Sequence, residues 1–210
     1  MDTSEISYTQ LATRQVLNDT LTALQARGIR AELVDTKAQA LERIKSLIPP
    51  GATVMTSGSQ SLEEIGFTTY LNEGDHLWNN FTKLIAQEKD PAKHQQLTLQ
   101  STMADYYLGS VHAVSKRGEM VFASEHGSQL PAYCYNSPNI IWVVGAQKIT
   151  NNIAAALERV MGYWLPQENE KQKRLGHNET FIGKLLIFER EAPDLHRKLH
   201  LLLVNEVLGF

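Results

Sequence analysis

Ile140-Ile-Trp-Val-Val144 is the segment that most restricts what this chain can become. A run that is apolar at both alternating sets of positions belongs to a strand covered on both faces, in the middle of a sheet sandwiched between layers. Around it, helical and strand periods alternate. Leu11, Val16, Leu17, Thr20, Leu21 and Leu24 form a stripe at helical spacing that Gly28 ends, and Ile29 to Val34 then reads as a strand. Thr36 caps a second helix carrying Ala40, Leu41, Ile44 and Ile48, which Pro49-Pro50-Gly51 stops before a strand from Thr53 to Met55. Beyond a polar stretch through Pro91, a helix bearing Leu97, Ser101 and Ala104 leads to a strand from Asp105 to Leu108. Val111 to Ser115 and Met120 to Ala123, parted by Lys116-Arg-Gly-Glu119, read as a β-hairpin. Thr150 or Asn151 caps a helix through Ile153, Leu157 and Val160, and strands from Lys184 to Glu189 and from His200 to Asn205 complete the set. No repeat, low-complexity tract or Pro/Gly linker divides the 210 residues. The pattern predicts a single α/β domain over 1–210, three layers α/β/α with a mostly parallel sheet.

In open sheets of this class ligands sit beyond the carboxyl ends of the strands, which directs attention to three loops. After the strand at Thr53 come Ser57-Gly58-Ser59-Gln60, hydroxyls and exposed amides, then Ser61 and Glu64 spaced as a capping box, so that a helix start faces whatever the loop holds. The spacing of a dinucleotide fingerprint or a P-loop is absent. After Leu108 come Gly109-Ser110-Val-His112, where the glycine lets backbone approach a ligand and the imidazole can exchange a proton near neutral pH. The third loop is Ser124-Glu125-His126-Gly127-Ser128-Gln129, with Pro131 opening a helical turn. The candidate catalytic residues are therefore His112, Glu125 and His126. The candidate ligand-binding residues are Ser57, Gly58, Ser59, Ser61, Gly109, Ser110, Gly127, Ser128 and Gln129. Ordinary turn chemistry would use the same residue types, so each loop also reads as a solvated connection.

The net charge of -3 without Lys/Arg clusters argues against a nucleic-acid or anionic-membrane surface. Cys134 stands alone, which rules out an intrachain disulfide, and reads as a core thiol. The start Met1-Asp-Thr-Ser-Glu-Ile-Ser7 lacks the basic and apolar regions of a leader, and the apolar runs are strand length, so a cytoplasmic protein is expected. His196 and His200 share the i, i+4 spacing of a metal pair but lack the glutamate of His-Glu-x-x-His and sit in a strand-like context. Asp75-His76 beside Gly74 is turn chemistry, and no Gly-x-Ser-x-Gly elbow surrounds Ser57 or Ser59. No metal is expected, and no motif names a cofactor.

Leu41-Glu-Arg-Ile-Lys-Ser-Leu-Ile-Pro-Pro-Gly-Ala-Thr-Val54, Gly58-Ser59, Leu62-Glu-Glu-Ile-Gly66, Ala104-Asp-Tyr-Tyr-Leu-Gly109, Val143-Val-Gly-Ala-Gln-Lys-Ile149 and the ending Leu202 to Phe210 together resemble the lactate-utilisation (LUD) domain family. The resemblance runs from about Leu11 to Phe210. It implies the fold shared by glucosamine-6-phosphate deaminase, ribose-5-phosphate isomerase and CoA transferases, with the ligand on the strand-end loops. Where many stand-alone members carry Asp-Gly-Thr-Gly-Asn-Arg, this chain has Ser124 to Gln129, so an arginine suited to clamping an anion is replaced by Gln129. The cysteine cluster of other members is missing from Leu165 to Asn178, which reads as a polar connection with Arg174 able to approach the site. The resemblance implies a role in organic-acid metabolism, with a small anionic metabolite on the Ser59 loop. Its alternative is a non-catalytic binding or assembly subunit for an oxidoreductase partner, with homo-oligomerisation open.

Overall fold

The apolar stripe from Leu17 to Leu24 folds as α1 (Arg14–Ala26), capped by the Thr13 hydroxyl and closed by Gly28 at φ 82°. The computed structural model describes residues 8–210, so the leader reading of Met1 to Ser7 falls outside it. Next come β1 (Arg30–Val34), α2 (Lys37–Leu47) with Thr36 as its cap, β2 (Thr53–Thr56) and a short α3 (Gln60–Glu64). Three elements then occupy what reads in the sequence only as a polar stretch: α4 (Phe67–Glu73), β3 (Asn79–Asn80) and α5 (Phe81–Gln87). Their apolar positions are too few for a period to show, since α4 buries only Phe67 and Leu71 and α5 buries nothing. The chain continues through α6 (Pro91–Ser101), β4 (Tyr106–Gly109), β5 (Ala113–Ser115), β6 (Met120–Ser124) and β7 (Asn139–Gly145). It ends with β8 (Ile149–Thr150), α7 (Ile153–Arg159), α8 (Leu165–Arg174), β9 (Lys184–Phe188) and β10 (Lys198–Val204).

Six strands in the order β1-β10-β7-β4-β2-β3, each pair parallel, form the main sheet. β7 lies inside it, as its uninterrupted apolar run requires. Ile140, Trp142 and Val144 enter one core with Leu17 and Leu24 of α1, while Ile141 and Val143 enter the other with Ile44 of α2, Leu62 of α3 and Phe67 of α4. Helices on both faces give the three-layer α/β/α arrangement.

The hairpin β5–β6 forms, but outside the main sheet. It joins β8 and β9 in a second, four-stranded sheet ordered β8-β5-β6-β9, laid over the α1 face. Val114, Met120 and Phe122 pack there with Trp142, and Ala113, Val121 and Ala123 on the far side pack with Ala156 and Val160. Both faces of this hairpin are apolar, so local pattern alone does not separate it from a main-sheet strand.

Pro131 opens a π-helical turn (Ala132–Asn136), and Arg197 supplies donors to its carbonyls, Nη2 lying 3.2 Å from Ala132 O and 2.8 Å from Tyr133 O. Cys134 on this turn is exposed, correcting its reading as a core thiol; the apolar contacts go to Tyr133 beside it. α7 is capped by Asn152, a step beyond the residues expected, and runs through a π-helical turn (Val160–Trp164) directly into α8. The stretch that reads as a polar connection is thus helical as far as Arg174, with Glu168 in its first turn and Lys171, Lys173 and Arg174 in its last, the charge order that suits a helix dipole.

Candidate functional site

The connection after β2 turns toward the α2 face, where Leu62 of α3 is buried, and the connection after β4 turns toward the opposite face, where Val114 of β5 meets Trp142. Neighbouring parallel strands whose connections part in this way open a crevice at their carboxyl ends. A cleft of about 390 Å³ lies at that edge.

At its floor is Lys148. A 3₁₀ turn (Ala146–Lys148) after β7 leaves this residue 4% exposed, and its Nζ donates to Ser61 Oγ at 3.2 Å and Ser110 Oγ at 3.3 Å. The two hydroxyl oxygens are 3.1 Å apart. Among the described residues no carboxylate pairs with Lys148. Glu64, whose charge acts on it, is instead held by Lys37 at 3.8 Å and by the Gly209 amide at 3.1 Å. Burial, helped by the charge of Arg159 and opposed by Glu64, lowers the Lys148 ammonium from its ordinary 10.5 to about 7. Between those two values the unfolded chain keeps a proton that the native chain has lost, so raising the pH favours the native state. The stability of the wild type relative to Lys148→Met should therefore rise across this window, as read by chemical denaturation at several pH values.

His112 lines the same cleft. Its Nδ1 accepts from the Ala123 amide at 3.2 Å, which places the ring hydrogen on Nε2, and Trp164 meets the ring edge-on at 4.3 Å. Arg159 Nη1 donates to the His112 carbonyl at 2.6 Å. Burial, then the charges of Lys148 and Arg159, push the imidazole down to about 3, so it serves as a fixed neutral donor and not as the proton-exchanging group expected from its residue type. Its carbon-bound ring protons should show no titration shift in NMR spectra between about pH 5 and 8, the range in which an ordinary histidine titrates.

Ser57, Gly58, Ser59, Ser61, Ser110, Glu125, Ser128 and Gln129 also line the cleft. Glu125 Oε2 accepts from the Thr180 hydroxyl at 2.6 Å, and Gln129 Oε1 accepts from Ser124 Oγ at 3.0 Å. Ser61 and Glu64 do not form a capping box. Ser59 is the cap, accepting from the Leu62 amide at 3.4 Å, and with 5 residues α3 aligns too few peptide dipoles to make its start an anion site. Gly58 has an ordinary backbone and open space where a Cβ would go, so neither its conformation nor the packing of the protein requires a glycine there.

Three candidates fall outside the cleft wall. His126 is 81% exposed with Nε2 3.4 Å from Glu125 Oε1, and Gly127, at φ 82°, makes a turn whose amide donates to Ser124 Oγ at 2.8 Å. Gly109 is buried where a Cβ would overlap the Tyr133 hydroxyl, which lies 3.4 Å from Ser57 Oγ. Its smallness makes room for Tyr133 and not for a ligand. Gly109→Ala should destabilise by about 1–3 kcal/mol, the usual cost of overpacking, measured by denaturant titration.

Several lining residues escape sequence reasoning: Lys148, Tyr133, Trp164, Thr180, and Glu63 and Lys171 from α3 and α8. Lys148 had a signal, because it follows the central strand at the end where ligands bind. Arg174 stays at the exposed end of α8, its Nε 3.3 Å from Glu170 O. The histidines of the His196/His200 spacing and of Asp75-His76 are held locally: His196 sits in a left-handed turn and His200 on β10, while His76 bonds Leu71 O at 2.9 Å in its own turn.

A family model described as the LUD domain matches residues 17–195. No curated protein matches the chain. Among solved structures it is similar to a DUF162 family protein from Deinococcus radiodurans, with 13% identity, a TM-score of 0.53, and coverage of 93% of this chain and 98% of that one. At that identity the likeness speaks for the fold alone, and it agrees with the parallel sheet flanked by helices.

Proposed function

The chain belongs to the LUD domain family, and we propose that it works in organic-acid, lactate-type metabolism by binding a small anionic metabolite in the strand-end cleft. The observation that carries this reading is Lys148. An ammonium buried without a carboxylate partner is costly, by several kcal/mol for an isolated ion, and a bound anion supplies the missing charge. The hydroxyls of Ser61 and Ser110 hold the same nitrogen, and His112 adds a neutral N–H on the wall. Glu63, Glu125 and Glu168 face the same space, which favours a singly charged carboxylate over a polyphosphate. With Gln129 in place of a clamping arginine and Lys171 set 4.0 Å from Glu63, affinity rests on the one cation without a carboxylate partner and several hydroxyls and is modest.

A thermal-shift screen of small monocarboxylates tests this. A ligand at 100 times its Kd adds about 2.7 kcal/mol, which for a chain of this size raises Tm by roughly 5–10 °C. A screen in which dicarboxylates and phosphate esters stabilise while monocarboxylates do not would redirect the proposal.

A further inference from the structure

Outside the anion-binding reading, the cleft floor holds a second kind of chemistry. Ser61, Ser110 and Lys148 form a closed triangle of one amine and two hydroxyls, with sides of 3.1, 3.2 and 3.3 Å. A lysine kept only for packing is normally ion-paired when buried; this one touches hydroxyls. A hydroxyl within hydrogen-bond reach of an unpaired amine is an activated nucleophile and its base. The two serines differ in access. Ser61 is 1% exposed and also reaches Leu208 O at 3.4 Å, whereas Ser110 is only partly buried, on the cleft wall.

We propose that Ser110 is an acyl-accepting nucleophile, Lys148 its general base and Ser61 the positioning residue between them, and that the substrate is an ester or thioester of a small organic acid. Ser110 Oγ bonds to the acyl carbon while its proton passes to Lys148 Nζ. The bond from the acyl carbon to the leaving oxygen or sulfur then breaks, and the Lys148 ammonium returns the proton to the leaving group. Water attacks the acyl-serine, again deprotonated by Lys148, and the Ser110 ester bond breaks to release the carboxylic acid and restore the hydroxyl. Ester and water go in, and acid and alcohol or thiol come out, with no redox change. The released carboxylate belongs to the ligand class proposed above, on which this assignment rests. Burial supports the amine's role, since Lys148 at about 7 is half free base in neutral solution.

The test uses p-nitrophenyl acetate on the full chain, with nitrophenolate release followed optically and the protein analysed by intact mass and peptide mapping. One acetyl group should appear on Ser110, at a rate that climbs about tenfold per pH unit below about 7 and levels off above it. Ser110→Ala should carry no acetyl group, and Lys148→Met should acylate about 10²–10⁴ times more slowly. Denaturant unfolding of Ser110→Ala checks that the variant folds; a fluorophosphonate label mapped on the wild type gives the same assignment without any variant. No adduct, an adduct on another residue, or acylation undiminished in Lys148→Met would overturn the assignment. If acetate still binds the wild type in that case, the anion-binding reading stands; if acetate also fails to bind, both fall.

Discussion

Lys148→Met should cost the cleft its affinity for small carboxylates, weakening binding by about 1.5–3 kcal/mol, or roughly ten- to hundredfold in Kd, the range for losing a hydrogen bond to a charged group. The same substitution should leave the fold as stable as the wild type or more so near neutral pH. Methionine matches the length of the lysine stem and removes a buried ammonium that has no carboxylate partner among the described residues, whereas Ser61 and Ser110 keep each other at 3.1 Å. Binding and stability thus move in opposite directions, a pattern that a merely structural lysine would not produce. Titration calorimetry with acetate and denaturant unfolding of both proteins read the two effects separately. A variant that unfolds early and binds normally would assign Lys148 to the framework.

Trp142→Ala should be the most destabilising single truncation, at about 3–5 kcal/mol, because it removes a fully buried indole from the point where the two sheets meet. The ring touches Phe122 at 5.3 Å, Tyr133 at 5.6 Å and Phe188 at 5.6 Å between centroids. Phe122 and Phe188 belong to the second sheet and Tyr133 to the π-helical turn against Ser57, so the cavity would loosen the small sheet and the cleft wall together. Denaturant midpoints give the loss. An effect below about 1 kcal/mol would mean that the site collapses around the missing ring, contrary to the close packing described.

The parts of the fold legible in the sequence are those where burial has one period over a long enough run. Leu17 to Leu24, Ala40 to Ile44 and Ile140 to Val144 each write their partner layers into the spacing. β8, two residues long, does not. β9 reads as a strand from Lys184, but which sheet it joins does not show: it is largely exposed along its length and pairs with β6, a contact across more than the local window that spacing can report. The cleft was half legible for a related reason. A strand-end rule finds Ser57, Ser59, Ser61, Ser110 and His112, because polarity at the end of a parallel strand is a local signal. It places His126 and Gly127 on the wall as well, although His126 turns to solvent and Gly127 packs beside the Lys184 side chain. Lys148 carried a positional signal at the end of the central strand, but its residue type masked it: a lysine in a sequence reads as surface, and its burial beside two hydroxyls comes from other elements. His112 was visible, but its neutral state comes from burial and then from the charges of Lys148 and Arg159, which other elements supply.

The most direct test of the account is the proton balance of binding, measured by calorimetric titration of the wild type with acetate or lactate in buffers of different ionisation enthalpy. If the anion pairs with the Lys148 ammonium, binding takes up about half a proton at pH 7 and close to a whole one by about pH 8.5, and Kd weakens about tenfold per unit above about 7. Saturable binding with no proton uptake and a flat pH profile, or no binding of any small carboxylate, would contradict it.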